Sequence, residues 1–459
     1  MTSLDLKGIA RFFRTHAAAF ALAVAFGALT AFPVAHAAWD AGGVFNARIV
    51  PETSDDESFY IGRIRDVLEG NAFLNNSALA EFKGGAPQQL FLAEFLLAQP
   101  LRLAHVTAAG GRVVYAFALP IIALLLAYGL LLTVTKSRAW AVAFAALLFF
   151  GAYPTAFARP VSPQFNFLFW LSLMWIAWRG VEGGFTKRIV AAAAVNFGLL
   201  FYIYPYYWTF FGAFFVLLAL VPLLVGRRSE FLPNAYRIAA ILIGGAVLAI
   251  PYFWYTFRSL ALPEYQETLA RLGLVSTHFP SGASIVRLAL IVGLAYAWAW
   301  RTKRIRWDVA SATACVGVVA VVIAVNQHVV TGRNLEFSSH FSMISTFVAA
   351  VAAAFLVARM ERGPRWFPYA CAFSIVLVAL AGTVKAVRAA CQLDGFNASV
   401  LRYAPVVSGF RNMRPPKRSS TRIRPSPRTS RRIRRKTRSI LGSRTSTSCR
   451  MPKSWIGGY

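Results

Sequence analysis

The stretch RVVYAFALPIIALLLAYGLLLTVTK, residues 112–136 of the 459-residue chain, decides the fold class. No residue between Arg112 and Lys136 is charged. As a helix rising about 1.5 Å per residue, it is long enough to cross about 30 Å of hydrocarbon. Similar apolar runs recur along the chain, which is 57% hydrophobic and only 14% charged. A chain of this kind crosses lipid as helices, because lipid offers no water to satisfy exposed backbone groups.

The expectation is an all-α polytopic membrane protein with about eleven transmembrane helices. They fall near 16–36, 113–134, 139–158, 165–178, 189–204, 207–225, 238–257, 285–300, 308–326, 341–358 and 367–385. The connections carry Pro, Gly or charge: KSR at 136–138 is short, and YPYYW after Ile203 is a tight turn in an aromatic belt. Residues 1–410 form the multi-span domain.

Alternate connections are basic. They hold Lys7, Arg11 and Arg14; Lys136 and Arg138; Arg179, Lys187 and Arg188; Arg227, Arg228 and Arg237; Arg301, Lys303, Arg304 and Arg306; Arg359, Arg362 and Arg365. Positive charge stays on the cytoplasmic side, so the N-terminus is expected inside and the protein in the cell inner (plasma) membrane. The net charge of +30 is therefore read as membrane anchoring, with no nucleic-acid partner. AHA at 35–37 has the look of a signal-peptide cleavage site, but the apolar run before it is long, and an uncleaved first helix is the reading taken. The four Cys are scattered and suggest neither a disulfide framework nor a metal site.

Residues 411–459 contain sixteen Lys/Arg and no acid. That composition cannot build a core and reads as a disordered basic tail. An Arg/Ser/Pro/Thr mixture without acids is what out-of-frame GC-rich coding gives. A shifted frame is the reading taken over an added basic arm.

One large non-apolar segment remains, residues 37–112, a first extracytoplasmic loop with juxtamembrane helices. It holds nine of the 18 acids. Its centre is TSDDESFYIGRIRDVLEG, from Thr53 to Gly70. Ser54 and Glu57 form a capping box, and Asp55, Asp56 and Glu57 place negative charge in the first turn. The helix should run to about Glu69 and stop at Gly70. Asp56, Tyr60 and Arg63 share a face, and Arg65 can pair with Glu69. From this pattern alone, a solvated helix on the membrane surface and a carboxylate facing a cleft are both open.

Asp56-Glu57-x-x-Tyr60 resembles the D-E-x-x-Y signature of the GT-C superfamily of membrane glycosyltransferases. That group includes the protein O-mannosyltransferases, the aminoarabinose transferases of lipid A and the oligosaccharyltransferases. The resemblance implies a catalytic Asp56, with Glu57 beside it, and Tyr60 and Arg63 in the substrate-binding set. It implies an inverting enzyme that moves a sugar from a polyprenyl-phosphate-type carrier to an extracytoplasmic acceptor of the cell envelope. YPTAFARPVSPQFNF, 153–167, is similar to a conserved segment of the oligosaccharyltransferases, with Arg159, Val161 and Phe165 in register. Asn166 and Phe167 stand where that family has metal-binding acids, which argues against a two-carboxylate metal site of that type. Lys83 resembles a lysine of the aminoarabinose transferases. In NQHVVTGRNLEFSSHF, 326–341, Arg333 is the cation expected to clamp the carrier phosphate. Asp56, Glu336 and His340 are the metal candidates if a divalent cation (Mg or Mn) takes part. The partners implied are the polyprenyl-linked sugar donor and the lipid bilayer. The competing class is a lipid or sugar transporter or flippase without transferase activity; the expected spans hold almost no ionisable residues at mid-depth, which counts against ion-coupled transport.

Overall fold

The computed structural model describes residues 6–41, 56–71, 92–260, 277–333, 340–360 and 366–401. Every element among them is helical. The chain divides into two units, 1–407 and 408–459, and the second lies outside the described residues.

In chain order the helices are α1 (Leu6–Thr15), α2 (Ala17–Ala41), α3 (Glu57–Leu68), α4 (Leu92–Leu103), α5 (Ala108–Thr135) and α6 (Arg138–Ala146). A wider π-helical turn, Leu147–Ala152, continues α6. Two irregular turns, Ala156–Ala158 and Pro160–Phe165, follow. Then come α7 (Asn166–Gly183), α8 (Lys187–Ile203), α9 (Pro205–Leu224), α10 (Arg228–Leu248) and α11 (Ile250–Leu260). The last are α12 (Ala283–Arg301), α13 (Val309–Val325), α14 (His328–Thr331), α15 (His340–Arg359) and α16 (Phe367–Leu401).

Eight helices among the described residues are long and apolar enough to cross a membrane, as a multi-pass membrane protein requires. They are α2, α5, α9, α10, α12, the α13–α14 stretch, α15 and α16. The expected spans 139–158, 165–178 and 189–204 are helical, but the segments there are not among the eight. The helix after Lys136 is short, running from Arg138 to Ala152, and α7 and α8 are 18 and 17 residues long. The expected span 238–257 is cut at Ala249, so α10 begins ten residues earlier and α11 is separate.

The helix ends follow their local chemistry. Thr107 caps α5 by accepting the Gly110 N–H at 3.2 Å, and Lys136 ends it in the left-handed conformation. Ser137 caps α6, Thr186 caps α8, and Asp308 caps α13 by accepting the Ser311 N–H at 2.8 Å. Each supplies an oxygen to a backbone donor that the helix cannot satisfy itself. The expected turn after Ile203 is present: Tyr204 is extended and Pro205 opens α9.

Two main apolar cores result, beside a small cluster of Ala31, Val34 and Ala116 between α2 and α5. The larger fills the bundle and is rich in aromatic rings, with Trp170 stacked on Phe167 at 5.2 Å. Tyrosine hydroxyls pin helices across it: Tyr153 donates to Met343 O at 2.7 Å and Tyr296 to Ala352 O at 2.8 Å. In α16, a Cβ added at Gly382 would overlap the carbonyl oxygens of Phe150 and Gly151. That glycine lets α16 sit directly on the π-helical turn, the close approach small residues allow between membrane helices. The outward faces are greasy: Ile243, Trp254, Phe257, Ile291 and Phe373 are all exposed. In water such a surface would be costly; against lipid tails it is matched.

The smaller core lies at the end of the bundle where α5 and α7 begin. It joins α3 and α4 to the first turns of α5, the Pro160–Phe165 turn and the end of α8. The functional candidates gather here.

Candidate functional site

Helix α3 answers why ions gather in a greasy chain. Its apolar residues Ile61, Ile64 and Val67 are buried, and so are Glu57, Arg63 and Asp66. A solvated surface helix would turn its charges outward; this one turns several inward and pairs them.

The Glu57 carboxylate meets the Arg112 guanidinium side-on, with Nε and Nη2 each donating to a separate oxygen at 2.5 Å. Glu57 is 1% exposed and Arg112 0%. Asp56 is the N-cap of α3, so Glu57 stands at the first helical position rather than the third that a capping box uses; Ser54 lies outside the described residues. Arg63 sits 2.7 Å from Glu94 of α4, at 1% and 3% exposure, and lies over the Phe59 ring at 5.2 Å. Neither Glu57 nor Arg63 reaches solvent, and their pairing ties α3 to α5 and α4. Arg102 adds a bond to the Val67 carbonyl at 2.8 Å.

The C-terminal expectations are met. Gly70 has a φ of 99°, its N–H bonds Val67 O, and the Asn71 N–H bonds Asp66 O. That pair of bonds is the Schellman ending, which glycine adopts without a Cβ clash. Arg65 and Glu69 pair on the exposed face at 2.7 Å.

Asp56 is different from its neighbours. It precedes α3 with a φ of 66°, a left-handed position that short polar residues tolerate best. Its side chain makes no capping bond and is 67% exposed. Arg159 reaches it from 103 residues away, at 3.1 Å, and is itself 25% exposed. The Arg159 guanidinium also lies 6.0 Å from the centre of the Tyr60 ring. Carboxylate, guanidinium and phenol thus form one cluster, half open to solvent, on a floor of paired ions. Burial pushes the Tyr60 hydroxyl above its ordinary pKa; Arg159 and Arg63 pull it down, while Glu94 and Asp56 push it further up. Tyr60 therefore keeps its proton at neutral pH and can donate a hydrogen bond. Burial likewise raises the Glu94 carboxyl, with Arg63 pulling against it.

The remaining candidates are placed elsewhere or lie outside the described residues. Val161 is buried in the smaller core and Phe165 packs against it. Arg333 is exposed beside α14, with its backbone held by Gln327 and Thr331, and makes no ion pair with Asp56 among the described residues. His340 meets the Tyr204 hydroxyl through Nδ1 at 2.6 Å and stacks on Tyr206 at 4.4 Å. Lys83 and Glu336 lie outside the described residues.

The described residues do not fit a divalent cation. Mg asks for several oxygen ligands in near-octahedral order, whereas Asp56 faces a guanidinium and an aromatic ring. Among the described residues no three His, Cys, Asp or Glu gather as ligands would.

Sequence reasoning missed Arg112 and Glu94. Arg112 looked like the charged edge of a span, and Glu94 sits alone in LAEFLLAQPL. An isolated charge inside an apolar run is the signal, since it is stable there only with a partner.

No family model matches the chain, and no curated protein matches it.

Proposed function

We propose that the chain is a membrane glycosyltransferase that takes a sugar from a polyprenyl-phosphate-type carrier and passes it to an extracytoplasmic acceptor. The observation that carries this reading is the meeting of Asp56, Tyr60 and Arg159. Two short stretches that separately resemble transferase segments supply one exposed carboxylate and one guanidinium in contact. The first extracytoplasmic loop would place the cluster outside, with the N-terminus in the cytoplasm.

In the proposed step, the acceptor's O–H proton passes to the Asp56 carboxylate as its oxygen bonds the anomeric carbon. The bond from that carbon to the phosphate oxygen breaks, and the electron pair leaves on the polyprenyl phosphate. The Arg159 guanidinium turns from Asp56 to the departing phosphate, which suits its forked donors. Tyr60 donates a hydrogen bond that orients the sugar. Configuration inverts in a single displacement.

The test is transfer by the full chain in vesicles supplied with a labelled polyprenyl-phosphate sugar. Asp56→Asn keeps a residue that tolerates the left-handed backbone but cannot accept the proton. Transfer should fall about a hundredfold or more, with the amount of protein in the membrane unchanged. A transporter or flippase gives no transfer even as the native chain, and that result rejects the transferase reading; full transfer by Asp56→Asn rejects Asp56 as the base.

A further inference from the structure

Helices α7 and α8 leave an open groove between them that runs from the start of α7, at Phe165 and Phe169, to a mouth at the opposite end of α7 from the Asp56 cluster. One hollow of about 610 Å³ is lined by Ser172, Trp175, Ile176, Arg179, Arg188 and Ile189, with Ala192. A second, of about 630 Å³, continues it and shares Ser172 and Ala192. The walls are almost wholly apolar except at the mouth, where Arg179 lies in the last turns of α7 and Arg188 in the first turn of α8.

Both arginines are exposed, and among the described residues neither makes an ion pair. The nearest carboxylate in sequence, Glu182, is taken by Lys136 at 2.8 Å and by the Trp178 indole N–H at 3.2 Å. The mouth therefore keeps its positive charge. From Arg188 to Leu199, which lines the far hollow, α8 rises about 16 Å. That is one leaflet's share of a hydrocarbon core about 30 Å thick. An apolar slot one leaflet deep under two guanidinium groups matches one molecule: a lipid with an anionic phosphate headgroup.

We propose that the α7–α8 groove binds an anionic phospholipid, its phosphate on Arg179 and Arg188 and one acyl chain along Ile176, Ile189 and Ala192. Guanidinium forks hold phosphate oxygens by paired hydrogen bonds, and basic pockets between membrane helices take anionic headgroups. The site stands independently of the transferase reading, since its arginines are distinct from Asp56, Tyr60 and Arg159, although its far hollow reaches Phe165 beside the smaller core. The bound lipid fills the seam between two short helices, where apolar walls otherwise meet only fluid lipid.

Trp175 in the groove wall provides the reporter. The full chain is placed in phosphatidylcholine vesicles containing either brominated phosphatidylglycerol or the same fraction of brominated phosphatidylcholine. Bromine quenches tryptophan on contact, and subtracting Trp175→Phe isolates the signal of Trp175. That variant loses the indole bond to Thr133 at 3.1 Å, but Thr133 keeps its own bond to Gly129 O. The expected result is at least twofold stronger quenching of Trp175 by the anionic lipid. Arg179→Gln with Arg188→Gln should remove the excess, and the two Arg→Lys changes should retain part of it. Equal quenching by both lipids in the native chain, which requires no arginine variant, overturns the proposal. So does an excess that survives loss of both arginines.

Discussion

Asp56 and Glu57 are adjacent acids with opposite fates. Glu57 is locked on Arg112 in the dark of the smaller core, while Asp56 stands exposed with Arg159. The difference is backbone, not chemistry: α3 starts at Glu57, and the left-handed turn at Asp56 swings its side chain away from the helix. Glu94 shows what burial costs an acid at this scale. Its carboxyl is raised chiefly by burial, so the folded chain holds that proton more tightly than the unfolded one. Glu94 therefore favours the fold most below the ordinary carboxyl range, and this contribution fades as pH climbs through its raised value. Thermal midpoints of native and Glu94→Gln protein between about pH 4 and pH 7 check this. The native chain should lose stability relative to the variant as pH rises. A difference that stays constant, or grows in favour of the native chain, means that the Arg63 attraction outweighs burial.

At the scale of elements, α3 is held by ions rather than by its apolar stripe alone. Glu57–Arg112 ties it to α5, Arg63–Glu94 and the Arg102 bond tie it to α4, and Asp56–Arg159 ties its start to the turn before α7. Breaking one partner of a buried pair leaves a bare charge and costs about 3–5 kcal/mol, whereas replacing both by apolar residues is often neutral. Arg112→Met alone should therefore lower the denaturation midpoint in detergent sharply. Glu57→Met with Arg112→Met should restore most of it, and a double variant as unstable as the single would contradict the pairing. The elements were legible to different degrees. The end of α3 at Gly70 and the Arg65–Glu69 pair were readable, because caps and i,i+4 pairs are local. The inward turn of Glu57 and Arg63 was not, because their partners lie 55 and 31 residues away and no local pattern encodes them. The span near 238–257 was misplaced for a similar reason: hydropathy runs on through Ala249, where the helix breaks.

Across the whole molecule, hydropathy decided the class, and eight helices long and apolar enough for a membrane support it. The division of labour is spatial. A lipid-facing bundle carries the bulk, and a small ion-paired core at one end presents Asp56, Tyr60 and Arg159. The opposite end of α7 presents Arg179. The joining of Asp56 to Arg159 separates a catalytic account from a merely structural ion pair, and exchanging the two residues tells them apart. The decisive measurement is sugar transfer in vesicles by the native chain and by Asp56→Arg/Arg159→Asp, each checked for membrane level and thermal midpoint. A catalytic Asp56 requires transfer by the native chain, and a folded exchange variant with its pair restored but transfer still lost. Transfer by the exchange variant, or none by the native chain, would overturn the catalytic role of Asp56.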